Sequence, residues 1–184
     1  INANGVTIHS FFQLPLSPFV PESTVKPRFE YSKQKRQIMR TLDLLIIDEI
    51  SMVRADILDA IDSILRRFRE HNKPFGGVQL LMIGDLQQLT PIVRPDEEKL
   101  LSRYYNTPYF FDSKALQSTQ YVTIELTKVF RQQDKVFIDI LNHFRDGHVS
   151  DEDFDILNKR YQPNFTPDEN SDYIHLTTHN RIAD

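Results

Sequence analysis

Cysteine is absent from this 184-residue chain, which excludes a disulfide scaffold, a thiolate metal site and a cysteine nucleophile. Also missing is any apolar run near the ~20 residues that a membrane-crossing helix needs, so no membrane association is expected. The chain opens on Ile1 in mid-pattern, without an initiating Met or a basic leader. It reads as the continuation of an earlier segment of an intracellular protein. Glycine is scarce. None of the five, Gly5, Gly76, Gly77, Gly84 and Gly147, leads into Gly-Lys-Ser/Thr, the loop that cradles nucleotide phosphates. Nor is there an excess of basic charge. A net charge of −4 argues against a protein that coats nucleic acid with a wholly basic face. It leaves room for a groove holding a few phosphates, because steering depends on the local field. The basic clusters Lys33, Lys35, Arg36, Arg40 and Arg66, Arg67, Arg69 read as solvated helix faces.

What remains is enough chain for about one domain with a real core, by the usual ~100–200 residues per domain. Two aliphatic runs of strand length end on acids: "LDLLIIDE" on Asp48 and Glu49, and "VQLLMIGD" on Asp85. Such runs suit parallel strands buried on both faces. "YVTIEL" and "YIHLTT" are further strand candidates. Helical spacing marks Ile57, Ile61, Ile64, Leu65 and Phe68 in a helix ending near His71. It marks Val136, Phe137, Ile140, Leu141 and Phe144 in another, stopped around Gly147. "YSKQKRQIMRTL" is a short polar helix, and Ser150 with Asp153 opens a helix through Tyr161. Gly76 and Gly77 break the chain in "NKPFGG"; Pro15, Pro18, Pro21 and Pro27 make residues 15–30 an irregular loop. "QPNFTPDENSD" reads as a linker, and "HNRIAD" as a helix start. Strands alternating with helices predict an α/β fold with a mainly parallel sheet flanked by helices.

In such a sheet, ligands bind beyond the carboxyl ends of the strands. Adjacent acids there suit nucleotide hydrolysis, one holding Mg²⁺ through water and one handling the attacking water. The same pair also suits a cap on the following helix. "LQQL" admits a plain polar turn, and Asp85 a role in orienting that loop. Three acids also admit a metal-dependent nuclease, although that chemistry usually wants a lysine or histidine beside them, and "ISMV" follows Glu49. No metal is assigned to the histidine pairs His143 with His148 and His175 with His179.

Taken in order, "GVTIHSFF", "DEISMV", "GDLQQLTPI" and "LTKVFRQ" resemble the Pif-type helicases, the RecD-like branch of superfamily-one DNA helicases. The resemblance runs from about Gly5 to Asp146. It implies an incomplete RecA-like P-loop NTPase domain, with ATP and Mg²⁺ as cofactors and single-stranded DNA as partner. It implies 5′ to 3′ translocation, and work in DNA repair, replication, recombination and telomere maintenance. Asp48 would hold Mg²⁺ through water and Glu49 would be the catalytic base. Gln88 would touch the γ-phosphate or its water, and Arg131 would reach across the cleft to the γ-phosphate. Thr7, His9 and Ser10 would contact DNA phosphates; Phe11 or Phe12 is core or, less simply, a base platform.

"HLTTHNRIAD" is similar to the start of the family's second RecA-like domain. Residues 1–130 are then a first motor domain without its phosphate loop, and 131–184 a helical junction with the start of the second. The family's phosphate loop, adenine-contacting segment and later motifs are not found here, so the expected identity is an internal piece of a helicase, inactive alone. The competing expectation is a degenerate module that binds DNA or protein and hydrolyses nothing.

Overall fold

The computed structural model describes residues 5–21, 30–167, 173–174 and 176–179. The chain falls into two compact units, Ile1–Glu125 and Leu126–Asp184.

In the first unit, β1 (Leu44–Ile47) pairs in parallel with β2 (Gln79–Met82), Leu44 opposite Gln79 and Ile47 opposite Met82. The ladder continues past both ends: Gln79 donates to the Asp43 carbonyl at 3.0 Å and Ile83 to that of Ile47 at 2.9 Å. A parallel pair needs a crossover, and α3 (Ala55–Phe68) supplies it. Its buried face holds Ile57, Ile61, Ile64 and Leu65 of the expected stripe together with Leu58, and Phe68 is only partly buried. That face packs with Phe12, Met39, Ile47, Phe75 and Leu116 in one core. Around it stand α1 (Ile8–Phe12), α2 (Lys33–Thr41) and α5 (Lys114–Gln117), while α4 (Pro95–Leu101) packs through Leu101 in a second cluster with Val20, Ala55 and Tyr105.

Three expectations need correction. The strands are not buried on both faces: Leu44, Ile46, Leu81 and Ile83 are 44, 56, 45 and 45% exposed. Leu45, Ile47, Leu80 and Met82 take the alternate positions and pack on the core, so the pleat separates a covered face from an open one. "YVTIEL" forms no strand; Val122, Ile124 and Leu126 are exposed and pair with nothing among the described residues. Strand propensity expresses itself only against a neighbouring strand. In "YIHLTT" the described residues are likewise outside any strand; His175 and residues 180–184 of the expected last helix lie outside the described residues.

The turn between α3 and β2 is tightly made. Phe75, Gly76 and Gly77 all have positive φ. Asp62 holds the turn, accepting the Phe75 amide while its oxygens bind Arg66 Nε at 2.8 and 2.9 Å. A Cβ on Gly76 would stand 2.7 Å from the Leu65 carbonyl oxygen. Gly147 shares the left-handed backbone, φ 72°, but has open space around it. Gly147→Ala should therefore cost only the left-handed penalty, ~1–2 kcal/mol. Gly76→Ala should cost clearly more in urea unfolding, because helix backbone cannot move aside. Equal costs would mean the turn relaxes freely.

The second unit holds α6 (Lys135–Asp146) and α7 (Asp151–Asn158). Asp134 caps the start of α6, and Gly147 ends it as expected. The Ser150–Asp153 capping box opens α7, which stops at Asn158 rather than Tyr161. Phe144 meets Phe154 edge to face at 5.8 Å, and His143 Nδ1 lies 3.0 Å from both Asp153 oxygens. Hydrogen bonds from Ser150 first, then His143, hold the Asp153 carboxyl below the usual carboxylate range. A depressed native pKa stabilises the fold above the ordinary carboxylate pKa, and the gain fades as pH falls through the lower native value. The stability gap between wild type and Asp153→Asn should thus be constant near neutrality and close below about pH 4. A gap independent of pH would show that the carboxylate charge is not what holds α7.

Candidate functional site

The chain beyond β1 turns sharply. Glu49 takes the left-handed conformation, φ 53° and ψ 44°, and precedes a 3-10 turn over Ile50–Met52. A non-glycine residue held there stores strain, which collects at functional positions. Its side chain makes no capping bond. Asp48 Oδ1 accepts the Glu49 amide at 3.0 Å. Neither acid therefore caps the following helix, and both carboxylates face solvent.

The neighbouring strand delivers the second loop to the same edge. Ile50 donates to the Ile83 carbonyl at 2.9 Å, and Gly84 follows. A Cβ at Gly84 would come within 2.9 Å of Ile50 Cγ2 and 3.2 Å of the Ser51 nitrogen. Only glycine lets the loop lie this close to the acid turn. Asp85 orients the loop, as expected: its oxygens accept the Gln87 amide at 3.0 Å and Gln88 Nε2 at 3.1 Å. These bonds occupy Asp85, and among the described residues no three His, Cys, Asp or Glu side chains gather for a metal. The three-acid nuclease site is therefore not formed. One exposed aspartate offers hard oxygen, which fits Mg²⁺ kept largely in its own water.

Thr7 caps α1, its Oγ1 accepting the Ser10 amide at 3.2 Å, and its hydroxyl hydrogen meets no acceptor among the described residues. His9 is half-buried and Ser10 exposed. Phe12 is core, and half-buried Phe11 stands edge-on to it at 4.8 Å. Lys35 joins this group, which the sequence did not indicate. Its Nζ donates to the Ser10 carbonyl at 3.1 Å and lies 4.8 Å from the Phe11 ring centre; burial lowers its pKa. Lys35 is thus more than part of a solvated face. The same holds for the other basic cluster, where Arg66 pairs with Asp62, and Arg69 Nη1 donates to the Arg40 carbonyl at 2.9 Å.

Arg131 is exposed and belongs to the second unit, in the irregular segment before α6. Sequence reasoning also passed over a buried ion cluster, Arg54 with Asp56 and Glu97. Residues 54, 56 and 97 share no periodicity that would signal it.

The family model for PIF1-like helicases matches residues 1–155. The chain belongs to the PIF1-like helicase family. It is 38% identical over 152 residues to the ATP-dependent DNA helicase PIF1 of Saccharomyces cerevisiae, covering 82% of this chain and 17% of that protein. The human ATP-dependent DNA helicase PIF1 is 45% identical over 154 residues, covering 80% of this chain and 22% of that one. The crystal structure of a Bacteroides Pif1 helicase in complex with ADP-AlF3 and single-stranded DNA superposes with a TM-score of 0.91 at 40% identity. That match covers 99% of this chain and 42% of the other. The chain thus spans about a fifth of the length of these curated relatives. Its parallel pair and surrounding helices are part of a RecA-like α/β domain. Among the described residues, no helix is long and apolar enough to cross a membrane.

Proposed function

We propose that the chain is part of an intracellular, ATP-dependent DNA helicase that moves 5′ to 3′ on single-stranded DNA. One observation carries this reading: in a PIF1-like chain, the acid turn and the Gln88 loop sit side by side beyond two parallel strands. Residues 1–130 belong to the first motor domain, and 131–184 to a helical junction and the start of the second.

Asp48 would hold Mg²⁺, which would supply positive charge to offset that of the nucleotide phosphates. Glu49 takes the proton of the attacking water. Gln88 donates to the γ-phosphate or accepts from that water, since an amide does both. Arg131 stabilises charge on the transferring phosphoryl group. Thr7, His9 and Ser10 position DNA phosphates, which need donors more than formal charge.

The test is ATP turnover by the full-length protein, with and without single-stranded DNA, together with strand separation on duplexes carrying a 5′ or a 3′ tail. DNA-stimulated turnover with unwinding from the 5′ tail is expected. DNA binding without any turnover would replace the motor with a binding module.

A further inference from the structure

We infer that Arg54 is a positioning residue that couples the acid turn to the loops on either side of it, through the buried cluster with Asp56 and Glu97. The inference rests on the proposed motor function.

Arg54 leaves the acid turn directly, one residue beyond Val53. Its guanidinium grips both Asp56 oxygens, Nε to Oδ1 at 2.9 Å and Nη2 to Oδ2 at 2.8 Å. Its remaining arm, Nη1, reaches Glu97 Oε2 at 3.0 Å. Each acid also holds a separate segment. Asp56 Oδ2 accepts the Phe19 amide at 2.9 Å, fixing the chain that follows α1 and its Thr7, His9 and Ser10. Glu97 Oε2 accepts the Arg94 amide at 3.4 Å, closing the start of α4 where the chain arrives from the Gln88 loop. One planar cation therefore links the end of the acid turn to the Phe19 segment beyond α1 and to the start of α4, which follows the Gln88 loop.

Stability does not explain the cluster. The three side chains are 10, 0 and 9% exposed, and removing such charges from water offsets most of what their attraction returns. Apolar side chains would hold the core as well. What they would lack is geometry. A fork bonded on three sides does not tolerate a shift in one partner without breaking a bond to another. Movement of the acid turn on nucleotide binding is thereby felt at Phe19, and DNA bound at α1 is felt at Glu49. Such coupling is reciprocal in binding free energy.

The test uses the full-length protein, a thymidine oligonucleotide and a non-hydrolysable ATP analogue. Arg54→Met should lower the stimulation of ATP turnover by the oligonucleotide about tenfold. It should also abolish the analogue's effect on oligonucleotide affinity, each ratio being taken against the same variant's DNA-free turnover and analogue-free affinity. Asp59→Asn is the control: Asp59 is a carboxylate on the same helix that binds Tyr105 and Ser113 instead. It should leave both ratios intact. Unchanged ratios in Arg54→Met, or an equal loss in Asp59→Asn, would overturn the inference. If Arg54→Met fails to fold, Glu97→Gln decides, with reduced stimulation expected and unaltered stimulation overturning it. Wild-type protein without DNA-stimulated turnover would remove the motor reading and this inference together. Normal wild type with a normal Arg54→Met would remove the inference alone.

Discussion

Glu49→Gln in the full-length protein should lower ATP turnover by ~10²–10⁴, the usual worth of a positioned general base. Nucleotide affinity should change little, because glutamine keeps the shape and loses only the capacity to take a proton. The structure adds a second arm. Glu49 is exposed, caps nothing and sits at φ 53°. Left-handed backbone costs a side-chain-bearing residue ~1–2 kcal/mol and glycine almost nothing. Glu49→Gly should therefore raise stability in urea unfolding while abolishing turnover. A gain in stability with a loss of function is the signature of a strained catalytic residue. Full turnover in Glu49→Gln would remove Glu49 from the chemistry.

Arg131→Ala should reduce turnover by ~10³–10⁵, the range for arginines that stabilise a transferring phosphoryl group. Here too the structure separates function from folding. Arg131 is exposed and lies outside any helix or strand. Surface substitutions of this kind stay within about 0.5 kcal/mol. Thermal unfolding should thus be unchanged in a protein that has lost nearly all turnover, and Arg131→Lys should rescue little, since a point charge lacks the planar fork. Turnover within about threefold of wild type would mark Arg131 as an ordinary surface residue.

The legible parts of the fold were those set locally. Aliphatic runs ending on Asp48 and Asp85 gave strands beside each other, and 3.6-residue spacing gave α3 and α6. Ser150, Asp153 and Gly147 marked helix ends because caps are short-range chemistry. The parts that depend on neighbours were not legible. "YVTIEL" carries strand residues but finds no partner strand among the described residues. The open sheet face of Leu44, Ile46, Leu81 and Ile83 is as apolar in sequence as the covered one. Pro95 followed by Asp96, Glu97 and Glu98 is a readable helix start, yet α4 is only seven residues long and its apolar period too brief to register.

The site divides in the same way. Asp48 and Glu49 were proposed from a strand end and Gln88 from the family motif, and the structure brings their two loops to one sheet edge. The left-handed backbone at Glu49 left no trace in residue type, and Lys35 met Ser10 and Phe11 only through tertiary packing.

Helix α3 bears on the order of folding. Asp56, Asp59 and Asp62 sit three residues apart along it, and each takes backbone amides from a different segment: Phe19, Lys114 with Ala115, and Phe75. These loops meet their acceptors on α3, so the crossover helix is expected to form before the segments it anchors. Substitutions within the α3 core should slow folding, whereas loop substitutions at Phe19 and Lys114 should mainly speed unfolding. Stopped-flow refolding in urea distinguishes the two, and slowed folding from the loop substitutions would reverse the order.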